Sequence, residues 1–311
     1  MRIKMDMTLQ TGVGGQKAET SDKPLVSVVV AAYNASVLLK RALISLQTQS
    51  LDASLYEVIV IDDGSVDNTP HVLRDFCESA PNFRWYSQSN QGPARARNVG
   101  IRRTKGAYVA ITDQDCQADR YWLQSICDVF TSEPDVLGIE GKTVSFPERI
   151  TPFTHQIVNL HGGVFATCNV AYRKSVLDEF SGFDEDFPYG HEDTDLSLRV
   201  RQKGKMVFSE KTIIIHPPIP MTFKKVVTHS RHWRNEFILF KKQPDLYRCH
   251  HKSPLYTVLV GLCLVRFLQE LRTNLVHLPN KPILYLKFVF AMLLQRIYFL
   301  TLLPGYLSKY K

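Results

Sequence analysis

Val26-Ser27-Val28-Val29-Val30-Ala31-Ala32 is the stretch on which the fold turns. A β-branched run of this kind fits a strand covered on both faces, as inside a parallel sheet. Asn34 and Ser36 follow as candidate helix N-caps, and Val37, Leu38, Ala42, Leu43 and Leu46 recur at helical spacing. A second strand, Tyr56–Ile61, runs into Asp62-Asp63-Gly64-Ser65. A helix is expected from Asn68 to Ser79, a strand near Phe83–Ser87, and a helix from Pro93 to about Thr104. The next strand, Ala107–Thr112, ends in Asp113-Gln114-Asp115. This alternation predicts an α/β protein with a doubly wound, mostly parallel sheet. Ligands in such sheets bind beyond the carboxyl ends of the strands, where these acidic pairs fall.

Beyond about Lys142 the pattern shifts to shorter, mixed elements up to Pro220. Gly182-Phe183-Asp184 reads as a turn, Thr194–Gln202 as a helix, and Met206–His216 as a strand that Pro217-Pro218 ends. The expected division is a flexible tail at 1–23, a catalytic domain at 24–220, and a basic, apolar helical region at 221–311. The tail has no apolar run that would serve as a signal peptide. Its Gly14-Gly15-Gln16-Lys17 lacks the spacing of a phosphate loop.

The net charge of +8 is unevenly placed. Residues 241–311 carry 11 Lys and Arg against 2 Asp and Glu, so that region alone accounts for the excess. It is also rich in Leu, Phe and Tyr. Basic and apolar together point to a membrane surface, not to nucleic acid, whose binders carry the basic stripe on the main folded domain. Six scattered cysteines without a CxxC pair exclude a zinc ribbon or a disulfide scaffold and fit a reduced, cytoplasmic setting.

Four segments carry chemistry. Asp113 and Asp115, one residue apart at a strand end, are either two solvated loop acids or a pair with a cation between them, for which Mg²⁺ or Mn²⁺ bridging to a diphosphate suits oxygen ligands. Asp63 can accept from an imide N–H or a ribose hydroxyl, although Asp-Gly is also a plain turn signal. In Asn90-Gln91-Gly92-Pro93-Ala94-Arg95-Ala96-Arg97-Asn98, Pro93 opens a helix and places Arg97 one turn in, either within reach of a phosphate or ribose or as a plain surface arginine. His191-Glu192-Asp193-Thr194-Asp195 is not a zinc-protease motif. Its acids either complement a helix dipole or supply a general base, since clustered carboxylates have raised pKa values. His216 is a candidate metal or phosphate ligand, or a histidine that caps the strand before Pro217.

Taken in order, Ala31–Asn34, Val60–Thr69, Gly92–Asn98, Thr112–Asp115, Thr167–Asn169 and Gly182–Gly204 resemble a family 2 glycosyltransferase of the GT-A fold, over about Pro24 to His216. The resemblance implies donor contacts from Ala31, Tyr33, Asp63, Asn90, Arg97 and Asp113, with Asp63 on the base of a nucleoside diphosphate sugar, commonly UDP. It implies Asp115 as the metal ligand, Asp193 as the base with Glu192 beside it, and inversion at the anomeric carbon. His191, standing before the acid pair, departs from the plainest family pattern. A catalytically inactive nucleotide-sugar scaffold and a nucleotidyltransferase are the competing readings. The first would have lost an acid from one of the pairs, and the second would need a Gly-rich phosphate loop.

The expected partners are the nucleotide sugar, a saccharide or lipid-linked acceptor, and a membrane surface at its cytoplasmic face. Leu255–Leu268 and Pro282–Leu303 read as interfacial helices. Membrane crossing is the alternative, opposed by Arg266, Lys287 and Arg296, and a homodimer contact is a third possibility. Arg231-His232-Trp233-Arg234-Asn235 resembles the basic, aromatic stretch that follows the catalytic domain in such enzymes, and the resemblance implies a contact to diphosphate or acceptor.

Overall fold

The computed structural model describes residues 23–187, 189–250 and 252–310. The expected tail, apart from Lys23, and its glycine stretch lie outside the described residues.

The Val26 run forms β1 (Val26–Ala32), central in the sheet. Val26, Val28 and Val30 face one core with Leu39, Leu43 and Leu46 of α1 (Ser36–Gln47) and Leu73 of α2 (Thr69–Ser79). Val29 faces the other, with Ala94 and Ile101 of α3 (Pro93–Ile101). That two-sided cover is why the run lacks polar alternation. β1 pairs in parallel with β2 (Tyr56–Asp62) and β4 (Tyr108–Asp113), and β3 (Phe83–Ser87) adds outside β2. The register sets Ala32 opposite Asp62 and Ala31 opposite Asp113. Two acidic strand ends therefore flank the end of β1.

The second half of the sheet was less legible. α4 (Trp122–Ser132) and β6 (Val136–Val144) have no counterpart in the sequence reading. β6 carries two glycines, Glu140 and Lys142, residues depleted in strands, so its signal is diluted. It pairs antiparallel with β8 (Val170–Arg173), which itself runs antiparallel to β4. β6 also pairs in parallel with β9 (Lys205–Ile215). The short β5 (Gln117–Ala118) closes the edge, for the order β3-β2-β1-β4-β8-β6-β9-β5. α5 (Lys174–Glu179) and α6 (Glu192–Lys203) cover the Val29 side, and β7 (Thr154–His155) pairs with β10 (Ile219–Pro220).

The chain then runs through α7 (Phe223–Thr228), a 3₁₀ turn at His229–Arg234, α8 (Asn235–Lys242) and α9 (Pro244–His250). A long helical stretch follows, Pro254–His277. It comprises α10 (Pro254–Tyr256), a π-helical segment at Thr257–Val265, and α11 (Arg266–Asn274). α12 (Pro282–Lys309) ends the described chain. Phe288, Ala291 and Met292 of α12 pack on Val226, and Phe299 packs with Trp233, Phe237 and Val258. Both helices are long and apolar enough to cross a bilayer, with mean hydropathies of 1.4 and 1.7. Arg296 is buried in the bundle, bonded to Glu270 at 3.2 Å, so one of the charges opposing insertion is neutralised internally.

Candidate active site

The site begins with two interlocked loops. Asn34 is not the cap of α1: it takes a left-handed conformation (φ 48°), and its Oδ1 accepts from Val66 N at 2.9 Å. Its own N–H donates to Ser65 Oγ at 2.9 Å, tying the end of β1 to the loop after β2. Asp62 accepts from Ser65 N (3.1 Å) and Ser87 Oγ (3.1 Å), which spends it on the turn. Gly64 has φ 76°, and a Cβ there would lie 2.8 Å from Asn90 N, so both its conformation and its space require glycine. Asp63 Oδ1 accepts from Gln88 Nε2 (2.7 Å) and Gln91 N (2.9 Å), and Oδ2 from Gly92 N (2.8 Å). A carboxylate offers about four acceptor positions, which leaves room for one more donor on Oδ2.

Arg97 is buried within α3. Its Nη2 donates to Asp113 Oδ1 at 2.7 Å and its Nη1 to Glu192 Oε1 at 2.9 Å. The expectation of an arginine reaching for phosphate is therefore modified: two carboxylates already claim both terminal nitrogens. Its placement is helped by Asn98, which donates to Phe183 O (2.8 Å) and accepts from Phe183 N (2.8 Å), pinning the loop before α6. Gly182 (φ 75°) is obligatory there, because a Cβ would sit 2.3 Å from Asn98 Oδ1.

Asp115 lies with Cys116 and His216 so that one ligand atom from each falls within 4.8 Å of the others. His216 Nδ1 is 3.0 Å from Pro217 O. A carbonyl only accepts, so Nδ1 is the donor here, and in the neutral ring Nε2 is the nitrogen free to coordinate. Burial and then the neighbouring Asp113 push the Asp115 carboxyl above its ordinary range, with His216 opposing. Asp113 has Arg97, whereas no Lys or Arg pairs with Asp115 among the described residues. An oxygen and an imidazole nitrogen converging beside an uncompensated acid fit a divalent ion such as Mn²⁺ or Mg²⁺.

These groups share one cleft of about 290 Å³. Ala31, Tyr33, Asp63, Asn90, Arg97, Asp113, Asp115 and His216, all expected from the sequence, line it, and His155, Ile157 and Tyr189 join them unannounced. Glu192 and Asp193 stand at the start of α6, behind Arg97, and do not line the cleft itself. Glu192 is buried and held by Arg97. Asp193 Oδ1 accepts from Thr194 N at 2.8 Å, and burial pushes its carboxyl above the ordinary range. A larger surface cavity, about 690 Å³, lies between α6 and the α8–α9 junction. Its charges are already matched, Arg199 to Asp195 at 2.8 Å and Lys242 to Asp184 at 2.6 Å.

Several supporting residues escaped the sequence reading. Glu140 accepts from Asn159 Nδ2 and from the backbone of Gly163, Val164 and Phe165, and so shapes the loop before β8. Asn169 accepts from Trp122 Nε1 (2.9 Å) and donates to Lys142 O and Thr212 O (both 2.9 Å), joining β6 and β9. It lay inside a quoted motif, whereas nothing local marked Glu140. His216, His155 and His229 form a row with ring centroids 5.9 and 6.3 Å apart.

A mostly parallel sheet with paired carboxylates at adjacent strand ends and an acidic helix start beside them defines a glycosyltransferase of the GT-A type. The model of glycosyl transferase family 2 matches residues 27–180, and the chain belongs to that family. It is similar to glycosyltransferase AglE of Haloferax volcanii, with 29% identity over 214 residues, 65% of this chain and 69% of the relative. Seven other curated glycosyltransferases match over 26% to 63% of their own length. Among solved structures, a mannosyltransferase of Pyrobaculum calidifontis in complex with GDP-Man and Mn²⁺ has 19% identity and a TM-score of 0.61, covering 89% of this chain and 87% of that one. TarS of S. aureus in complex with UDP-GlcNAc has 17% identity and a TM-score of 0.56, covering 75% of each chain. These likenesses establish the fold.

Proposed function

We propose that the protein transfers a sugar from a nucleoside diphosphate sugar, most simply a UDP-sugar, to an acceptor hydroxyl with inversion. The observation that carries this reading is the convergence of Asp63, Asp113, Asp115 and His216 on one cleft, with Asp193 next in sequence to Glu192, the acid that Arg97 holds. Asp63, already fixed by three hydrogen bonds, offers its remaining acceptor position to a base N–H. Asp115 and His216 would hold Mn²⁺ or Mg²⁺, which supplies charge neutralisation to the departing diphosphate. Arg97 keeps Asp113 and Glu192 in place. With Glu192 engaged by Arg97, Asp193 is the carboxylate left to accept the acceptor's proton, and burial raises it above an ordinary aspartate, which strengthens it as a base. The mannosyltransferase neighbour holds GDP-Man with Mn²⁺ and TarS holds UDP-GlcNAc, which supports a nucleotide-sugar donor and leaves the base to the resemblance. Calorimetry with UDP and GDP, each with Mn²⁺ and with chelator, tests this. Metal-dependent binding of UDP is expected, and binding that ignores both base and metal overturns it.

We further propose that residues 24–220 form the catalytic unit and that the region from 221 onward seats it on the cytoplasmic face of a membrane, in polysaccharide or glycoconjugate assembly. The supporting observation is the apolar surface left open on the two long helices, including Leu268, Ile283, Leu286, Phe290 and Ile297, combined with the basic excess of that region.

A further inference from the structure

A second cavity, about 800 Å³, lies between the His229–Arg234 turn and α12. Its charged lining is of one sign: Lys225, Arg231 and Arg234, with His229 and His232 beside them and no carboxylate. That distinguishes it from the 690 Å³ cavity, whose cations are matched by acids. Arg231 stacks on Tyr298 (5.3 Å to the ring centroid), and its Nε donates to the phenol oxygen at 2.5 Å. The guanidinium is thereby positioned without being neutralised. Arg234 lines the cavity, and its Nε is buried with no hydrogen-bond partner, so no acid of the protein neutralises this guanidinium through that nitrogen. Burial, with smaller repulsion from His232, His155 and Arg266, holds His229 down at about 4, so the positive charge of the cavity comes from Lys225, Arg231 and Arg234.

Position gives this cavity its role. Tyr189 lines both it and the donor cleft, and the His216–His155–His229 row leads from one to the other. Its far wall is Tyr298, Leu302 and Tyr306 of α12, the helix that also exposes Leu293, Ile297 and Leu300. A ligand seated here would place an anionic group among the arginines, a chain along an apolar helix, and its other end toward the donor.

We propose that this cavity binds the phosphate or diphosphate head of a lipid-linked acceptor. The proposal rests on the glycosyl-transfer reading and names the acceptor's chemical class. Phosphate oxygens suit Arg and Lys donors in a partly desolvated site. The phosphate is gripped and not consumed: the acceptor oxygen bonds to the anomeric carbon as that carbon's bond to the donor diphosphate breaks, Asp193 takes the hydroxyl proton, and the nucleoside diphosphate leaves from the neighbouring cleft.

The test measures binding of farnesyl diphosphate to the full chain in detergent, with inorganic pyrophosphate, phosphatidylglycerol in mixed micelles and UDP with Mn²⁺ as competitors. The double variant Lys225→Gln/Arg234→Gln should lose at least about tenfold in affinity, the weight of one charge-assisted hydrogen bond or more. Lys225→Arg/Arg234→Lys should keep most of it, which separates charge from folding. UDP affinity should be unchanged in both. Equal farnesyl diphosphate affinity in wild type and the Gln variant overturns the proposal, as does displacement by UDP, which would assign the anion to the donor cleft. Pyrophosphate binding as tightly as the prenyl compound would make this a free-anion site, and displacement by phosphatidylglycerol a general headgroup site; either rejects the acceptor. Failure of UDP to bind wild type at all would reject the donor reading instead.

Discussion

Arg97 and Glu192, 95 positions apart in sequence, form a buried ion pair of 2.9 Å, and the same guanidinium holds Asp113 at 2.7 Å. One cation thus ties the end of β4 to the start of α6. Removing it leaves two acids without a partner in a confined space. Arg97→Met should destabilise the fold by about 3–5 kcal/mol, the usual effect of orphaning a buried charge. Glu192→Gln, which can still accept from Arg97, should cost less. Urea unfolding checks both, and an unchanged midpoint for Arg97→Met would show that the pair contributes nothing.

Asp193→Asn should lower turnover by roughly 10²–10⁴-fold, the usual contribution of a positioned base. Donor affinity should be nearly unchanged, since Asp193 does not line the cleft. Wild-type turnover in this variant would pass the role to Glu192 or Asp195.

The pH profile follows from the same group. A base works deprotonated, and burial raises the Asp193 carboxyl above the ordinary value of 3.8. Activity should therefore be complete above that raised pKa and fall as the pH drops through it, with an acid limb above the usual aspartate range. A kcat/KM profile with its acid limb near an ordinary carboxylate value would contradict this assignment.

Asp115 gives a stability signature. Its folded pKa is raised, so between 3.8 and that value the folded state binds more protons than the unfolded one, and stability declines as pH rises through the window. Without metal at neutral pH, Asp115→Asn should raise the melting temperature. Mn²⁺ should stabilise the wild type by about 2.7 kcal/mol at a hundredfold excess over Kd. It should do little for the variant. Identical Mn²⁺ responses, read by scanning calorimetry, would remove Asp115 from the metal site.

The exposed faces of the long helices predict membrane association. Leu286 and Ile297 are 62% and 57% exposed. Each would bury about 1.5–3 kcal/mol of apolar side chain in an interface. Leu286→Glu/Ile297→Glu should weaken binding to anionic vesicles at least tenfold while sparing UDP binding. Flotation showing no vesicle binding by the unaltered protein would assign these faces to another contact.

The parallel half of the sheet and the acids at its ends are legible in the chain alone. Runs such as Val26–Ala32 and Tyr56–Ile61 are strands covered on both faces, and that cover is written locally, in the absence of polar alternation. Asp63, Asp113 and Asp115 were legible for the same reason, since each follows such a run directly. The antiparallel half was not, because β6 places Gly138, Glu140 and Gly141 in a strand, and only pairing with β8 and β9 makes that tolerable. Partner choice also belonged to the tertiary structure. Nothing near Arg97 told that its nitrogens would meet Asp113 and Glu192 and not a phosphate, nor did Cys116, next in sequence to Asp115, announce that it would meet His216. Side-chain pairing across 95 residues depends on how two helices and a strand end converge, and periodicity along the chain carries no record of that distance.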